Sequence, residues 1–507
     1  MLTILSLIAC GDNEDDDKPG AAREVDIQEL LQEPISIQLN PYELTPLSAL
    51  LSVNTQSSAS LEVTVQGDYP STIETDHFAT SHQIGVHGLY PDKNNAIVVK
   101  VSTENGNYGY DTLYIQTDPL PATFPEIEIA AMDESRMEPG WNLIELSIGG
   151  QGIFRFNPVI FDPSGQIRWY MNLDFIEGWI GPFERLNNGN WLWSYNNRTY
   201  EYDMLGQEIR NWELWPYSQH HDQVEKPDGN LIIAVNKSDE PTALDHIIEL
   251  DRQSGGTVRE WDLREVMDVD RFDFVWNSFD WAHVNSVWYD DETDGLVISA
   301  RHQGIAKVDM DNNLEWLIAP HQGWNLAGIN GDGLDTRDYL LTAVDANGNP
   351  YPESVQQGSE DAVDGFSWPW GQHAVMTLDN GHIFCFDNGT NKNFGANATY
   401  SRAVEYAIDL EAMTVNQVWQ YGKERGIDMH SNNISDVDVL PITGNRVIAP
   451  GNLTPNPTRG SRIIEVSYPD GEVIYEAVIT FKDELSNGGG WAQNDISYRA
   501  ERLEIYP

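Results

Sequence analysis

The sequence predicts an all-β chain: a six-bladed β-propeller over about residues 125–507, preceded by a small antiparallel β-sandwich at 24–120. Three observations predict it. A unit of roughly 40 residues, with four strands, an Asn/Asp-Gly turn and a closing aromatic, recurs along the chain, which is the pattern of a propeller blade. The segments flanking the array are complementary: "FRFNPVIFDPSGQIRWYMNL" supplies outer strands and "NDISYRAERLEIYP" a first strand. The residues ahead of the array follow a different rhythm, with short alternating strands and no repeat.

Taken in order, "ISIQLNPYELTPLSALLSVNTQ", "ASLEVTVQGD", "HQIGVHGLYPD", "NAIVVKVSTENG" and "YDTLYIQTD" are the sandwich strands. About six or seven strands in this length suit such a sandwich. "PLPATFP" at 119–125 is a Pro-rich linker. The first blade runs from "PFERLNNGNWLWSY" through "TYEYDMLGQEIRNWEL", and the second from "HHDQVEKPDGNLIIAV" through "HIIELDRQSGGTVREWDL". The third joins "HVNSVWYDDETDGLVISA" to "GIAKVDMDNNLEWLI", the fourth "QHAVMTLDNGHIFCFDNG" to "RAVEYAIDLEAMTVNQVWQY". The fifth joins "ISDVDVLPITGNRVIAPG" to "SRIIEVSYPDGEVIYEAVI". The Gly- and Asp-rich stretch 321–366 is too long for a plain turn and is expected to cap one face. The last strand, near Tyr498, is expected to complete the blade begun near Phe154 and so remove exposed sheet edges.

The 507 residues include 80 acidic and 29 basic, a net charge of −51. That excludes nucleic acid or an anionic membrane surface as a main partner, and makes clustered Arg and His informative. The start, "MLTILSLIAC", ends like a bacterial lipobox, so Cys10 is expected to be lipidated and residues 1–9 removed. Residues 1–23 then form the signal and an acidic tether. The expected location is the bacterial cell envelope, lipid-anchored, periplasmic or surface-exposed. Cys385, in the apolar "IFCF", reads as core with no disulfide partner. Nothing else is long and apolar enough to span a bilayer.

The first strand of each propeller blade lines the central channel, and its beginning projects into one mouth. His221, His283 and His373 all open such strands, from segments far apart in sequence. Arg301 ends the second strand of the third blade in "ISARHQGIAK". A guanidinium there is costly unless it holds an anion, of sulfate or phosphate type, or a carboxylate. Strand alternation puts His302 on the other face. It also turns one of His220 and His221 outward, and blade phase selects His221. Three imidazoles can hold zinc. There is no HExxH, and only Asp222 offers a completing carboxylate, so no metal and no cofactor is expected. The turns "INGDGLDTRD" and "DANGNP" do not match an EF-hand loop and read as ordinary turn chemistry. No P-loop, nucleophile elbow or GxGxxG opening a helix is present.

In "HHDQVEKPDGNL", "DWAHVNSVWYD" with "GLVISARHQ", "WGQHAVMTLDNGHIFCFDNG", "YSRAVEYAID" with "VNQVWQYGKERG", and "SYRAERL", the chain resembles the bacterial arylsulfotransferases. The N-terminal part, with "GLYPDKNN", resembles that family's accessory domain. The resemblance implies transfer of a sulfuryl group from a phenolic sulfate ester to an acceptor phenol, through a transient sulfohistidine and without a nucleotide sulfate donor. It makes His373 the nucleophile, with His221, His283 and Arg301 supporting and Asn285 beside them. Tyr498 lines the pocket, His220 is the neighbour of His221, and Ser435 stands where the family's fifth-blade Ser/Thr turn would contact the acceptor. The Cys pair that enteric members carry before the nucleophile is missing. The partners implied are the phenolic sulfate and the phenol, no nucleic acid, a membrane only through the lipid anchor, and at most a second copy of the chain as a homodimer. A non-catalytic cell-surface propeller binding sulfated ligands, or an arylsulfatase-like hydrolase, are the alternatives.

Overall fold

The computed structural model describes residues 22–150, 153–176, 180–271, 278–362, 365–395, 400–453, 460–482 and 495–506. Cys10 and the tether up to residue 21 lie outside the described residues.

Six antiparallel sheets form the propeller blades, each ordered from an inner to an outer strand. The local chemistry repeats. In five blades the third strand ends at an aspartate whose carboxylate accepts from backbone N–H groups two to four residues on: Asp162, Asp203, Asp251, Asp309 and Asp409. These Asx turns set the hairpin to the outer strand. The aromatic at the end of the blade then crosses to the next one. The indole Nε1 of Trp169 donates to Met204 O, Trp212 to Arg252 O, Trp261 to Asp309 O and Trp419 to Pro469 O, at 2.9–3.0 Å. Each tryptophan buries its ring between two sheets while its one polar atom finds a carbonyl.

The inner strands are stitched together as well. Asp222 Oδ2 accepts from Val287 N of the next blade at 2.7 Å, Ser286 Oγ from Val375 N at 3.0 Å, and Asp436 Oδ2 from Ala500 N at 3.2 Å.

The sixth blade is closed by both ends of the propeller segment. Ile496–Leu503 is its inner strand, followed by Trp141–Gly150, Ile153–Phe161 and Ile167–Tyr170. Closure is therefore as expected in kind, but the blade begins earlier than expected. The strand hydrogen-bonded to Ile496–Leu503 is Trp141–Gly150 rather than the segment around 154–171. It carries buried Asn142, Glu145 and Ser147 between its apolar residues, which hides its strand character in the sequence. Two further strands widen other blades. Glu126–Met132 adds a fifth strand to the outer edge of blade five. Thr342–Ala343, from the long 321–366 stretch, pairs in parallel with the outer strand of blade four, so this part of the stretch runs along a blade edge.

The N-terminal domain is one seven-stranded sheet, antiparallel except where Arg23–Glu24 pairs with Asn107–Gln116. The 18-residue strand Ser48–Val65 joins its two halves, pairing with Ala79–His87 at one end and Asn94–Thr103 at the other. Arg168 fastens this domain to blade six. Its guanidinium has no solvent exposure, pairs with Asp162 at 2.8 Å, and donates to Tyr69 O and Gly88 O at 2.9 Å. It also lies 3.4 Å from the Tyr90 ring centroid. No helix among the described residues is long and apolar enough to cross a membrane.

Candidate active site

The site begins with backbone irregularities that recur at one height around the ring. Pairing registers of the inner strands shift between Gln219 and Gln223, Val284 and Ser286, His373 and Met376, and Ser497 and Ala500. Positive φ accompanies them: 60° at His221, 52° at His283, 52° at Ala374, and 51° and 95° at Ile434 and Ser435, just ahead of blade five's inner strand. A non-glycine residue in this region stores about 1–3 kcal/mol of strain, and bulges re-aim side chains next to active sites.

The bulge at His221 overturns one expectation. Alternation fails across it, so His220 and His221 both turn toward His283, with ring centroids 5.2 and 5.1 Å away. His302 also joins this side, 5.3 Å from His283, where alternation had sent it to the other face. Arg301 and His302 lie in the turn after strand Gly295–Ala300, not in the strand, and their N–H groups bond to His283 O and Ala282 O. Asp222 is absent from the group. It accepts from Val287 N and pairs with Arg499 at 2.9 Å inside the channel.

The imidazoles form two hydrogen-bonded systems. In the first, Asp280 Oδ2 lies 2.8 Å from His283 Nδ1, His283 Nε2 lies 3.1 Å from His221 Nε2, and His221 Nδ1 lies 2.6 Å from Tyr498 Oη. An ionised carboxylate only accepts, so His283 carries its proton on Nδ1. Its Nε2 then accepts from His221 Nε2–H, and His221 Nδ1 accepts from the Tyr498 hydroxyl. The Tyr498 ring stacks on His221 with centroids 5.7 Å apart.

The second system holds His373. The amide NH₂ of Asn388 donates to Ser431 O and Ile434 O, so its oxygen faces His373 Nδ1, at 2.7 Å. Nδ1 therefore bears the proton and Nε2 the lone pair, which accepts from Ile434 N at 3.1 Å. Ser435 is engaged inside the protein: its hydroxyl bonds Ser431 Oγ at 2.8 Å and accepts from Gly451 N at 3.1 Å. Asn285 donates to Gln372 O at 2.7 Å, beside His373, and its Oδ1 is buried with no hydrogen-bond partner among the described residues. Asp280 and Asn388 escaped the sequence reading, although "DWAH" sets a carboxylate three residues before His283 and "FDNG" ends the strand paired with His373.

Arg301 stands among these rings. Its side chain makes no hydrogen bond or ion pair among the described residues, and Nε is buried without a partner. Burial, and next its positive charge, hold His283 down to about 3. Burial and the same charge hold His373 well below the usual histidine range. Burial and neighbouring His283 and Arg301 bring His302 to about 3. Burial, then the adjacent imidazoles, keep His220 and His221 far down as well. The mouth is thus a nest of neutral imidazoles around one buried guanidinium, which the Asp280 charge offsets from a distance without a hydrogen bond. Two groups of donor atoms, His220/His221/His283 and Asp280/His283/His302, are close enough to hold a metal ion, with all atoms of each group within 4.8 Å of one another.

Beyond the bulges the same strands line a channel cavity of about 270 Å³. Glu184, Asp222, Asp436, Asp438 and Glu501 face it, with Arg499 as the cation. Burial raises Asp436 to about 6 against the pull of Arg499, and burial followed by the charge of Asp436 raises Glu501 to about 7. A raised carboxyl favours the folded state in its protonated form. Its penalty is absent below the unfolded value, near 4.5, grows as the pH rises, and is complete above about 7. Glu501→Gln should therefore raise the Tm at pH 8 and leave it unchanged at pH 4, as thermal unfolding followed by circular dichroism will show. An equal shift at both pH values would mean that the carboxylate carries no such penalty.

A propeller that gathers neutral imidazoles and an unpaired guanidinium at one mouth is equipped for group transfer on an anion. The family described as Arylsulfotransferase (ASST) matches residues 99–499, and the Arylsulfotransferase Ig-like domain matches 36–118. The arylsulfate sulfotransferase of Escherichia coli O6:H1 (strain CFT073) is 26% identical over 499 residues, covering 78% of this chain and 81% of its own. The enzyme of the same name from Lelliottia amnigena is 27% identical over 498 residues with the same coverage. Among solved structures, the WD40 domain of a Toxoplasma gondii coronin aligns over 72% of this chain and 88% of its own at 12% identity, with a TM-score of 0.32. The chain belongs to the arylsulfotransferase family and is a sulfotransferase.

Proposed function

We propose that the chain moves a sulfuryl group from an aryl sulfate donor to a phenol in two displacements, through a sulfohistidine on His373. The observation that carries this reading is Arg301, a cation without a hydrogen-bond or ion-pair partner among the described residues, amid imidazoles that are neutral before the donor binds. A neutral imidazole is a nucleophile and an unpaired guanidinium is a fork for sulfate oxygens.

In the first displacement the Nε2 lone pair of His373 gives up its bond from Ile434 N–H and attacks sulfur. The N–S bond forms, the S–O bond to the aromatic ring breaks, and the phenolate takes a proton from His283. That proton comes from solvent: the negative donor seated on Arg301 draws it onto His283 Nε2, which gives up its bond from His221, and Asp280 steadies the resulting imidazolium, as the carboxylate of a catalytic triad does. In the second displacement His283 accepts the proton of the incoming phenol, whose oxygen attacks sulfur and expels His373. Asn388 holds the nucleophile in the tautomer that exposes Nε2, and Tyr498 with His221 fixes the orientation of His283.

Arg301 acts in ground and transition states alike. Arg301→Leu should raise KM for the donor and lower kcat by on the order of 10²–10³, measured as release of a chromogenic phenol from its sulfate ester with an acceptor phenol present. Kinetics within threefold of the parent would sink the anion-site reading.

We also propose that the protein is held at a cell-envelope membrane by a lipid on Cys10, the lipobox-like motif being the support. A fatty-acid analogue should label the parent protein, and label retained after Cys10→Ala would contradict it.

A further inference from the structure

We propose that Asp280, His283 and His302 form a binding site for a divalent transition metal of the zinc type at the rim of the mouth. His302 carries the argument. It is 7% exposed, and its Nε2 is buried with no hydrogen-bond partner among the described residues. A buried ring nitrogen is ordinarily satisfied, and one left unmade points to a partner of another kind. Its Nε2 stands 4.0 Å from Asp280 Oδ2, too far for a hydrogen bond. Donors bound about 2.0–2.1 Å from a tetrahedral ion stand roughly 3.4 Å from one another. The 4.0 Å gap and the 2.8 Å between Asp280 Oδ2 and His283 Nδ1 bracket that spacing, and all three donor atoms fall within 4.8 Å of each other.

The frame is prepared in advance. The turn bearing His302 is bonded to the segment bearing the other two ligands, through Arg301 N to His283 O at 3.1 Å and His302 N to Ala282 O at 3.2 Å. Two imidazoles and one carboxylate suit zinc, cobalt or iron and argue against calcium and magnesium, which take oxygen ligands. The alternative group of His220, His221 and His283 has three neutral donors and no anion to offset a dication, so the carboxylate decides between them. An ion on His283 Nδ1 would move that ring's proton to Nε2, reverse the hydrogen bond to His221 and withdraw His283 and Asp280 from the proton transfers proposed above, so the ion-bound form is an inhibited one.

Cobalt(II) is the probe, because its visible bands report low-coordinate nitrogen and oxygen ligation. The purified chain, stripped with chelator and titrated with Co²⁺, should develop such bands at one ion per chain and lose them when Zn²⁺ is added. His302→Ala should weaken binding on the order of 100-fold or more, with its thermal unfolding close to that of the parent. Asp280→Asn should do the same and serves as the second variant. Absence of bands in the parent at saturating Co²⁺ would overturn the proposal. So would bands that survive His302→Ala and vanish in His220→Ala, which would put the ion on the three imidazoles.

Discussion

On the proposed mechanism His373→Asn should abolish transfer, with turnover falling on the order of 10⁶-fold, the scale on which loss of a covalent nucleophile acts. The expectation rests on a specific arrangement. Asn388 fixes the ring with its proton on Nδ1, and Arg301 lies close enough for its charge to depress the imidazole. An asparagine offers neither the lone pair nor the reach. Two measurements separate this from a general loss of activity. Rapid mixing of the parent with donor alone should give a burst of phenol near one equivalent before any acceptor is added. The variant should give none, and no acid-labile sulfur adduct should be recovered from it. Substantial turnover in the variant, together with no burst in the parent, would remove the sulfohistidine.

Deletion of residues 496–506 should leave no cooperative fold. The inner strand of blade six would vanish, leaving the two ends of the ring tied, among the described residues, through Glu126–Met132 on the outer edge of blade five. Buried Ile496, Tyr498, Ala500 and Ile505 would go with it. Two ion pairs would be broken: Arg499 with Asp222, and Arg502 with Glu465, whose side chains are 1% and 0% exposed. Each broken buried pair costs about 3–5 kcal/mol, against a total stability of about 5–15 kcal/mol for a typical domain. The strand Trp141–Gly150 would also expose an unpaired edge. The deleted chain should partition into the insoluble fraction and show no cooperative melt. A soluble product melting within a few degrees of the parent would contradict closure by the last strand.

The ring was legible because its punctuation is chemical. Asp162, Asp203, Asp251, Asp309 and Asp409 stand at turns only small oxygen-bearing side chains build well, and the tryptophans that follow mark where one blade grips the next. His221, His283 and His373 were legible from repeat phase. The rest of the site depends on backbone that no residue type announces. A left-handed histidine at 221 has no signature of the kind a glycine gives, so the turning of His220 toward the mouth was hidden. His302 was misassigned because a turn was read as a strand. Asp280 and Asn388 touch the histidines at the ring Nδ1 atoms, and the sequence marks them only by place, three residues before His283 in "DWAH" and at the end of the strand paired with His373 in "FDNG".

The acid-lined channel behind the histidines has a consequence for traffic. An aryl sulfate remains an anion for as long as its ester lasts, and the passage through the ring presents Glu184, Asp222, Asp436, Asp438 and Glu501 against the single Arg499. Burial raises every one of these carboxyls, so the lining keeps protons near neutrality and gains charge as the pH rises. On this side of the ring an anionic ester would meet a repulsion that grows with pH, while an uncharged phenol would meet none.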